Sequence, residues 1–147
     1  MKLSTRGRYG IRAILDLAGH SDDEPVLVKD ISKRQEISVW YLQHLLNPLI
    51  AGGLVRSTRG PGGGVSLTKS PSEIKLSDII LLLEGSLAPV ECVDDPNVCP
   101  RSNLCVTRDT WVEMKKAIDR ILESTTIQDL LERQKKKQLS DEAIYQI

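Results

Sequence analysis

Cys92, Cys99 and Cys105 stand with six and five residues between them, in a stretch otherwise marked by Pro, Asp and Asn. Thiolates are soft donors for iron-sulfur clusters and zinc, and accessible thiols also carry redox chemistry. Structural free cysteines favour apolar elements, whereas these lie in a polar loop, so they read as metal ligands or redox thiols. An odd number cannot all pair within one chain, and their crowding is not that of a disulfide framework. Spacing alone does not choose the metal. A structural zinc site ordinarily has a tight C-x2-4-C pair and four ligands; neither is evident, which favours a cluster.

A second group of residues suits nucleic acid. Ser38, Trp40, Tyr41, Gln43, His44 and Asn47 fall on the outer face of a helix and can hydrogen-bond base edges or phosphates. None is acidic, although a polar outer face is also what any solvated helix shows. Further on, Arg59-Gly60-Pro61-Gly62-Gly63-Gly64 lets the main chain come close to a phosphodiester, and Arg59 beside it suits a narrow minor groove. No Lys-Ser/Thr follows and no helix begins there, so the loop is not a P-loop. Lys2, Arg6, Arg8 and Arg12 add charge suited to sequence-independent phosphate contacts.

The elements that must position these residues are legible in apolar periodicity. Ile11, Ile14, Leu15, Leu17 and Ala18 predict an amphipathic helix from Ser4 to His20. Asp22-Asp23-Glu24-Pro25 reads as a turn and residues 28–35 as a short second helix. Val39, Leu42, Leu46 and Leu49, with Ser38 as N-cap, predict a third, kinked by Pro48 and ended by Gly52-Gly53. Residues 54–58 and 65–68 alternate around the glycine-rich tip as a β-hairpin. Lys75 to Glu84 is an apolar helix stopped by Gly85, and Ser86 to Asp109 reads as an irregular loop. Trp111, Met114, Ile118 and Ile121 recur at i, i+3, i+7 and i+10, the seam of a long helix packing on another helix. Thr126 to Asp129 resembles a capping box opening a last helix that fades at Lys135-Lys136-Lys137.

The expected fold is therefore mainly α with a small β-hairpin wing: a winged helix-turn-helix followed by a long helix that packs on another helix. The expected divisions are residues 1–70 for the DNA-binding domain, 71–91 for a connecting helix and 92–106 for the cysteine loop. Residues 107–138 follow as the long helix, which the resemblance given below makes the dimerisation helix, and a C-terminal helix, and 139–147 as a flexible tail.

Composition is that of a soluble globular protein, neither disordered nor fibrous. The 147 residues carry 20 Lys+Arg and 20 Asp+Glu, but residues 1–70 hold 10 basic against 6 acidic side chains and the remainder 10 against 14. Only the first half is basic. The longest apolar run, Ile79 to Leu83, is far short of the roughly 20 residues of a membrane span, and the N-terminus has no apolar signal region, so a cytoplasmic protein without a membrane role is expected. No nucleophile and base constellation or cofactor motif suggests an enzyme.

Taken together, Lys2 to Gly10, the Ile37-Ser38-x-x-Tyr41-Leu42-x-x-Leu45 helix, the Leu54-Val55-x-Ser57-x-Arg59-Gly60-Pro61-Gly62-Gly63-Gly64 wing and the cysteine loop resemble the IscR family of iron-sulfur-sensing winged-helix regulators. The resemblance covers about residues 1 to 130. It implies a homodimer on palindromic double-stranded operator DNA, with a [2Fe-2S] cluster held by Cys92, Cys99 and Cys105 and the long helix crossing its partner. It further implies that Gln43 reads bases and that Arg59 enters the minor groove. The expected function is a regulator, and specifically a repressor, of iron-sulfur cluster biogenesis genes, with cluster assembly or donor proteins as further partners.

Two positions depart from that pattern. Well-known members have a His three residues after the last cysteine, where this chain has Arg108, which is always protonated and no ordinary ligand. The fourth ligand is then Asp94, Asp95, Asp109, a partner's N-terminal side chain, an external thiol or water. Relatives with a [4Fe-4S] cluster have an acidic residue near position 8, where this chain has Arg8; and Gln43 replaces a Glu that changes DNA preference in some members, which implies a single operator class. The alternatives are a repressor sensing thiols, nitric oxide or cysteine metabolism on the same scaffold without a cluster, and a small iron-sulfur redox protein.

Overall fold

The computed structural model describes residues 2–22 and 24–146. Met1, Asp23 of the expected 22–25 turn, and Ile147 of the expected tail lie outside the described residues. The helices are α1 (Thr5–His20), α2 (Val28–Gln35), α3 (Val39–Ala51), α4 (Leu76–Leu83), α5 (Glu91–Asp94), α6 (Val106–Ser124) and α7 (Ile127–Tyr145). One antiparallel hairpin, β1 (Val55–Thr58) and β2 (Gly64–Leu67), follows α3. This is the expected winged helix-turn-helix, mainly helical with a β wing.

The apolar stripes on α1 to α3 meet in one core. Ile14, Leu17, Ile31, Leu42 and Leu49 are fully buried there, each of a size that contributes about 1.5–3 kcal/mol on burial. The same core takes in Ile74, Ile79, Leu83 and Ile127 from the second half of the chain. The turn between α2 and α3 is tight: Glu36 adopts a left-handed conformation (φ 55°), and the Ile37 N–H donates to Ser32 O at 3.1 Å. Ser38 then caps α3, its hydroxyl accepting from Tyr41 N at 3.1 Å. The helix runs past Pro48 to Ala51, so the proline removes one backbone bond without ending it.

The wing is fastened at its base. Val26 and Val65 exchange two backbone hydrogen bonds of 2.8 Å, adding a one-residue bridge beside the hairpin. A side chain at Gly64 would meet Val26 O at 2.4 Å, so only glycine permits this approach. At the tip, Gly63 N donates to Gly60 O at 2.9 Å across Pro61 and Gly62, the latter at φ 76°, the pattern of a type II turn.

Three sequence expectations need correction. The segment 86–109 is not irregular throughout: it contains α5 and a 3-10 turn at Pro96–Val98, where Asp95 caps by accepting from Asn97 N, and α6 already begins at Val106. The helix expected over 75–84 spans Leu76–Leu83, with Lys75 and Glu84 as its caps. Finally, α7 does not fade after Gln138 but continues to Tyr145, so the expected tail is helical over most of its length. No Gly or Pro interrupts the chain after Thr126, and good helix formers such as Lys, Gln, Glu and Ala carry the helix onward.

α7 packs back on α1 beyond a short neck. Leu76 N donates to Thr125 O and Ile127 N to Ile74 O, both at 2.9 Å. No described helix is long and apolar enough to cross a membrane.

Candidate nucleic-acid interface and cysteine loop

The residues singled out on α3 occupy its solvent side. Ser38, Trp40, Gln43, His44 and Asn47 are exposed, while Leu42, Leu45, Leu46 and Leu49 face inward. Trp40, 69% exposed, stacks on His44 with ring centroids 4.1 Å apart. Arg6, Trp40, Tyr41, His44 and Leu45 line a concavity of about 210 Å³ where α1 meets α3. Tyr41 is half-buried because it joins those helices: its ring meets Tyr9 edge-on at 6.2 Å, and its hydroxyl donates to Thr5 Oγ1 at 3.3 Å.

Arg59, Gly60 and Gly62 are exposed at the wing tip. Arg8 is exposed with its guanidinium 5.9 Å from the Tyr9 ring. Arg12, read from sequence as a phosphate contact, has a structural job: its Nη2 donates to Gln35 O at 2.7 Å and its Nε to Gln35 Oε1 at 3.2 Å, capping the end of α2. Sequence inspection overlooked this cap because the partners are 23 residues apart.

The cysteines occupy three different local settings. Cys92 lies in α5, Cys99 follows the 3-10 turn, and Cys105 is the N-cap of α6; all three are half-buried and unpaired. Ser102, which is buried, holds the loop between them by donating to Pro96 O at 2.8 Å and Cys99 O at 2.9 Å. Among the described residues, no three His, Cys, Asp or Glu side chains converge as a metal-binding group. Arg108 donates from Nε to Cys92 O at 2.9 Å, tying the first turn of α6 to α5. The Cys105 thiol is held below the ordinary cysteine pKa, first by its contact with the Thr107 hydroxyl (3.2 Å) and then by backbone N–H groups of Arg108 and Thr107. Thr107 was not singled out from sequence; its position two residues into a helix capped by cysteine was the available signal.

The seam residues lie on α6, none of whose side chains is buried within one chain. Trp111 and Ile121 are 36% and 64% exposed, and Met114 and Ile118 are half-buried. Leu104 and Val106 add further exposed apolar surface at the start of the helix.

Residues 3–133 match the model of the Rrf2 family, described as iron-dependent transcriptional regulators. The chain belongs to the Rrf2 family. Protein rrf2 of Nitratidesulfovibrio vulgaris is 44% identical over 131 residues, covering 89% of this chain and 87% of that protein. Among solved structures, T. potens IscR aligns with a TM-score of 0.77 at 39% identity over 94% of this chain and 91% of that one. CymR (YrzC), the global cysteine regulator of B. subtilis, aligns with a TM-score of 0.76 at 36% identity, over 90% and 98%. The resemblance carried by the wing, the α3 motif and the cysteine loop is thus borne out at the level of family and fold. This Rrf2-family chain is a transcriptional regulator, similar both to T. potens IscR and to CymR, the global cysteine regulator of B. subtilis.

Proposed function

We propose that this Rrf2-family chain is a repressor that binds palindromic operator DNA as a homodimer and uses its cysteine loop as the sensor. The observation that carries the reading is the composition of one surface: the exposed side of α3 has no acidic side chain between Ser38 and Asn47, and Arg59 stands at the tip of the neighbouring wing. Such a helix can enter a major groove while the wing reaches the minor groove or backbone. Gln43 can pair bidentately with adenine, and Trp40, Tyr41 and His44 supply apolar and hydrogen-bonding contacts. The second copy is drawn to the exposed seam of α6, which would bury Trp111, Met114, Ile118 and Ile121.

For the sensor, the donors fit an iron-sulfur cluster in chemistry: three thiols in one segment, that of Cys105 already biased towards thiolate. On that basis Cys92, Cys99 and Cys105 would hold a [2Fe-2S] cluster. Bound there, it supplies a tie between the thiolates that forms or breaks with iron-sulfur supply. The regulated genes are then those of cluster biogenesis, and cluster assembly or donor proteins become partners.

A second reading is favoured by two observations. The thiols do not converge as a ligand group among the described residues, and Cys105 has the lowered pKa of a reactive thiol. On this reading the same loop senses thiol oxidation, nitric oxide or cysteine status without a cluster.

Two measurements test these readings. Duplexes selected from a random pool by the protein should share a two-fold half-site pattern and bind a sedimentation-defined dimer; a failure to enrich any duplex would end the regulator mechanism on DNA. Anaerobic purification with iron, sulfide and zinc analysis should give two irons and two sulfides per chain, with visible absorption, if the cluster is the signal. A colourless protein without metal after reconstitution leaves the thiol reading.

A further inference from the structure

The first helix lacks a cap of its own. Ser4 stands at its N-cap, but its side chain accepts no hydrogen bond from the helix, and the first turn contains no acidic residue. Arg6 and Arg8 instead bring positive charge to the end of the helix whose dipole is already positive. Both deficits are met from far along the chain. Oε1 of Glu84 accepts from Ser4 N at 2.8 Å, from Gly7 N at 3.2 Å and from the Ser4 hydroxyl.

Glu84 is also the C-cap of α4, its own N–H donating to Ile80 O at 2.8 Å. The chain then turns at Gly85 (φ 78°) and enters the segment that holds the cysteines. The fit is close: a side chain at Gly7 would meet Glu84 Oε1 at 2.5 Å. The turn of α1 that Glu84 caps is the one that Tyr41 of α3 reaches through Thr5. One carboxylate thus stands between the start of the cysteine loop and the helix pair that presents Arg6, Arg8 and Tyr41.

We infer that Glu84 is a positioning residue for DNA binding: it fixes the first turn of α1, and it withdraws that support when the cysteine loop unwinds the end of α4. The second clause rests on the sensor role proposed for the loop. An unwound α4 end moves the carboxylate, freeing the Ser4 and Gly7 N–H groups and loosening the Thr5 to Tyr41 contact. Simple electrostatics has the opposite sign, because removing a carboxylate near DNA raises affinity.

The test uses the full chain and a duplex selected by the wild-type protein from a random pool. Amide exchange at Gly7 and duplex affinity are measured in wild type, Glu84→Ala, Glu84→Gln and Gly7→Ala, before and after alkylation of the thiols with iodoacetamide. Glu84→Ala should speed Gly7 exchange and weaken duplex binding by about tenfold each, the scale of one charge-assisted hydrogen bond. Glu84→Gln, which keeps an acceptor oxygen, should recover most of both. Gly7→Ala should reproduce the alanine phenotype by crowding Oε1, so the inference is still tested if Glu84→Ala does not fold. Alkylation should speed Gly7 exchange in wild type and add nothing in Glu84→Ala. Tighter duplex binding by Glu84→Ala, or Gly7 exchange unmoved by alkylation in wild type, would overturn the inference. If alkylation moves Gly7 exchange but leaves duplex affinity unchanged, the linkage through Glu84 stands and the sensor reading fails.

Discussion

Arg34 grips Asp16 through a fork, its Nη2 2.7 Å from Oδ1 and its Nε 3.0 Å from Oδ2. Gln35 adds a third donor to Oδ2 at 2.8 Å, and only 1% of the Asp16 side chain is exposed. The pair locks α2 onto α1 immediately before the turn that launches α3. The Arg34 pKa is raised, first by the hydrogen bond to Asp16.

Truncating the cation should therefore cost more than truncating a surface charge. Arg34→Ala leaves a buried carboxylate with the Gln35 amide as its hydrogen-bond donor and His20 Nδ1 3.7 Å from Oδ1, and should destabilise the fold by about 2–3 kcal/mol, below the roughly 3–5 kcal/mol of fully buried pairs because 34% of the Arg34 side chain remains in water. Urea denaturation checks this. A loss under 0.5 kcal/mol would show that Asp16 finds other donors.

The wing makes a separate electrostatic prediction. Arg59 is exposed at the tip and makes no ion pair among the described residues. Arg59→Ala should leave thermal stability unchanged, weaken duplex binding, and lower the slope of log K against log salt by about 0.9. A slope equal to that of wild type would remove Arg59 from the phosphate and minor-groove contacts.

The cysteine loop predicts a pH dependence. In metal-free protein, the lowered Cys105 pKa means that its alkylation should rise with pH ahead of an ordinary thiol. Thr107→Val removes the leading cause and should move that profile to higher pH, slowing alkylation at pH 7. Peptide mass spectrometry with iodoacetamide reads both profiles, and coincident curves would refute the Thr107 contact.

The capping box of α7 predicts a second pH dependence, this one of stability at acid pH. Asp129 accepts from Thr126 N at 2.9 Å, which with the Thr126 hydroxyl holds its pKa below the ordinary value. A depressed carboxyl contributes stability that is present above the unfolded pKa of about 3.9 and lost as pH falls through the folded value. Asp129→Asn should flatten this acid limb of the stability curve. An unchanged limb would assign it to other carboxylates.

Much of α1 to α3 and the wing was legible because their signals are local. The 3.6-residue spacing of Ile14 and Leu17, the Ser38 cap and the Gly-Pro-Gly tip each declare themselves within a few residues. The contacts that sequence reading overlooked are those made at long range: Glu84 on Ser4, Arg34 on Asp16 and Arg12 on Gln35 join elements whose proximity only the fold creates. The cysteines were visible as a group, but whether they share a ligand depends on loop geometry that spacing does not encode. The end of α7 was misread because a lysine run looks like a fraying terminus, although nothing in it breaks a helix.

The neck formed by Ile74, Leu76, Thr125 and Ile127 has a consequence for how the molecule can come apart. Between Leu83 and Ile127 no described apolar side chain enters the core. The stretch from 84 to 124 is therefore one excursion from the core, leaving at the end of α4 and rejoining beside the backbone bonds that tie Leu76 to Thr125 and Ile127 to Ile74. It can open as a unit of its own, at lower free energy than the whole chain, while the core of α1 to α4 stays folded.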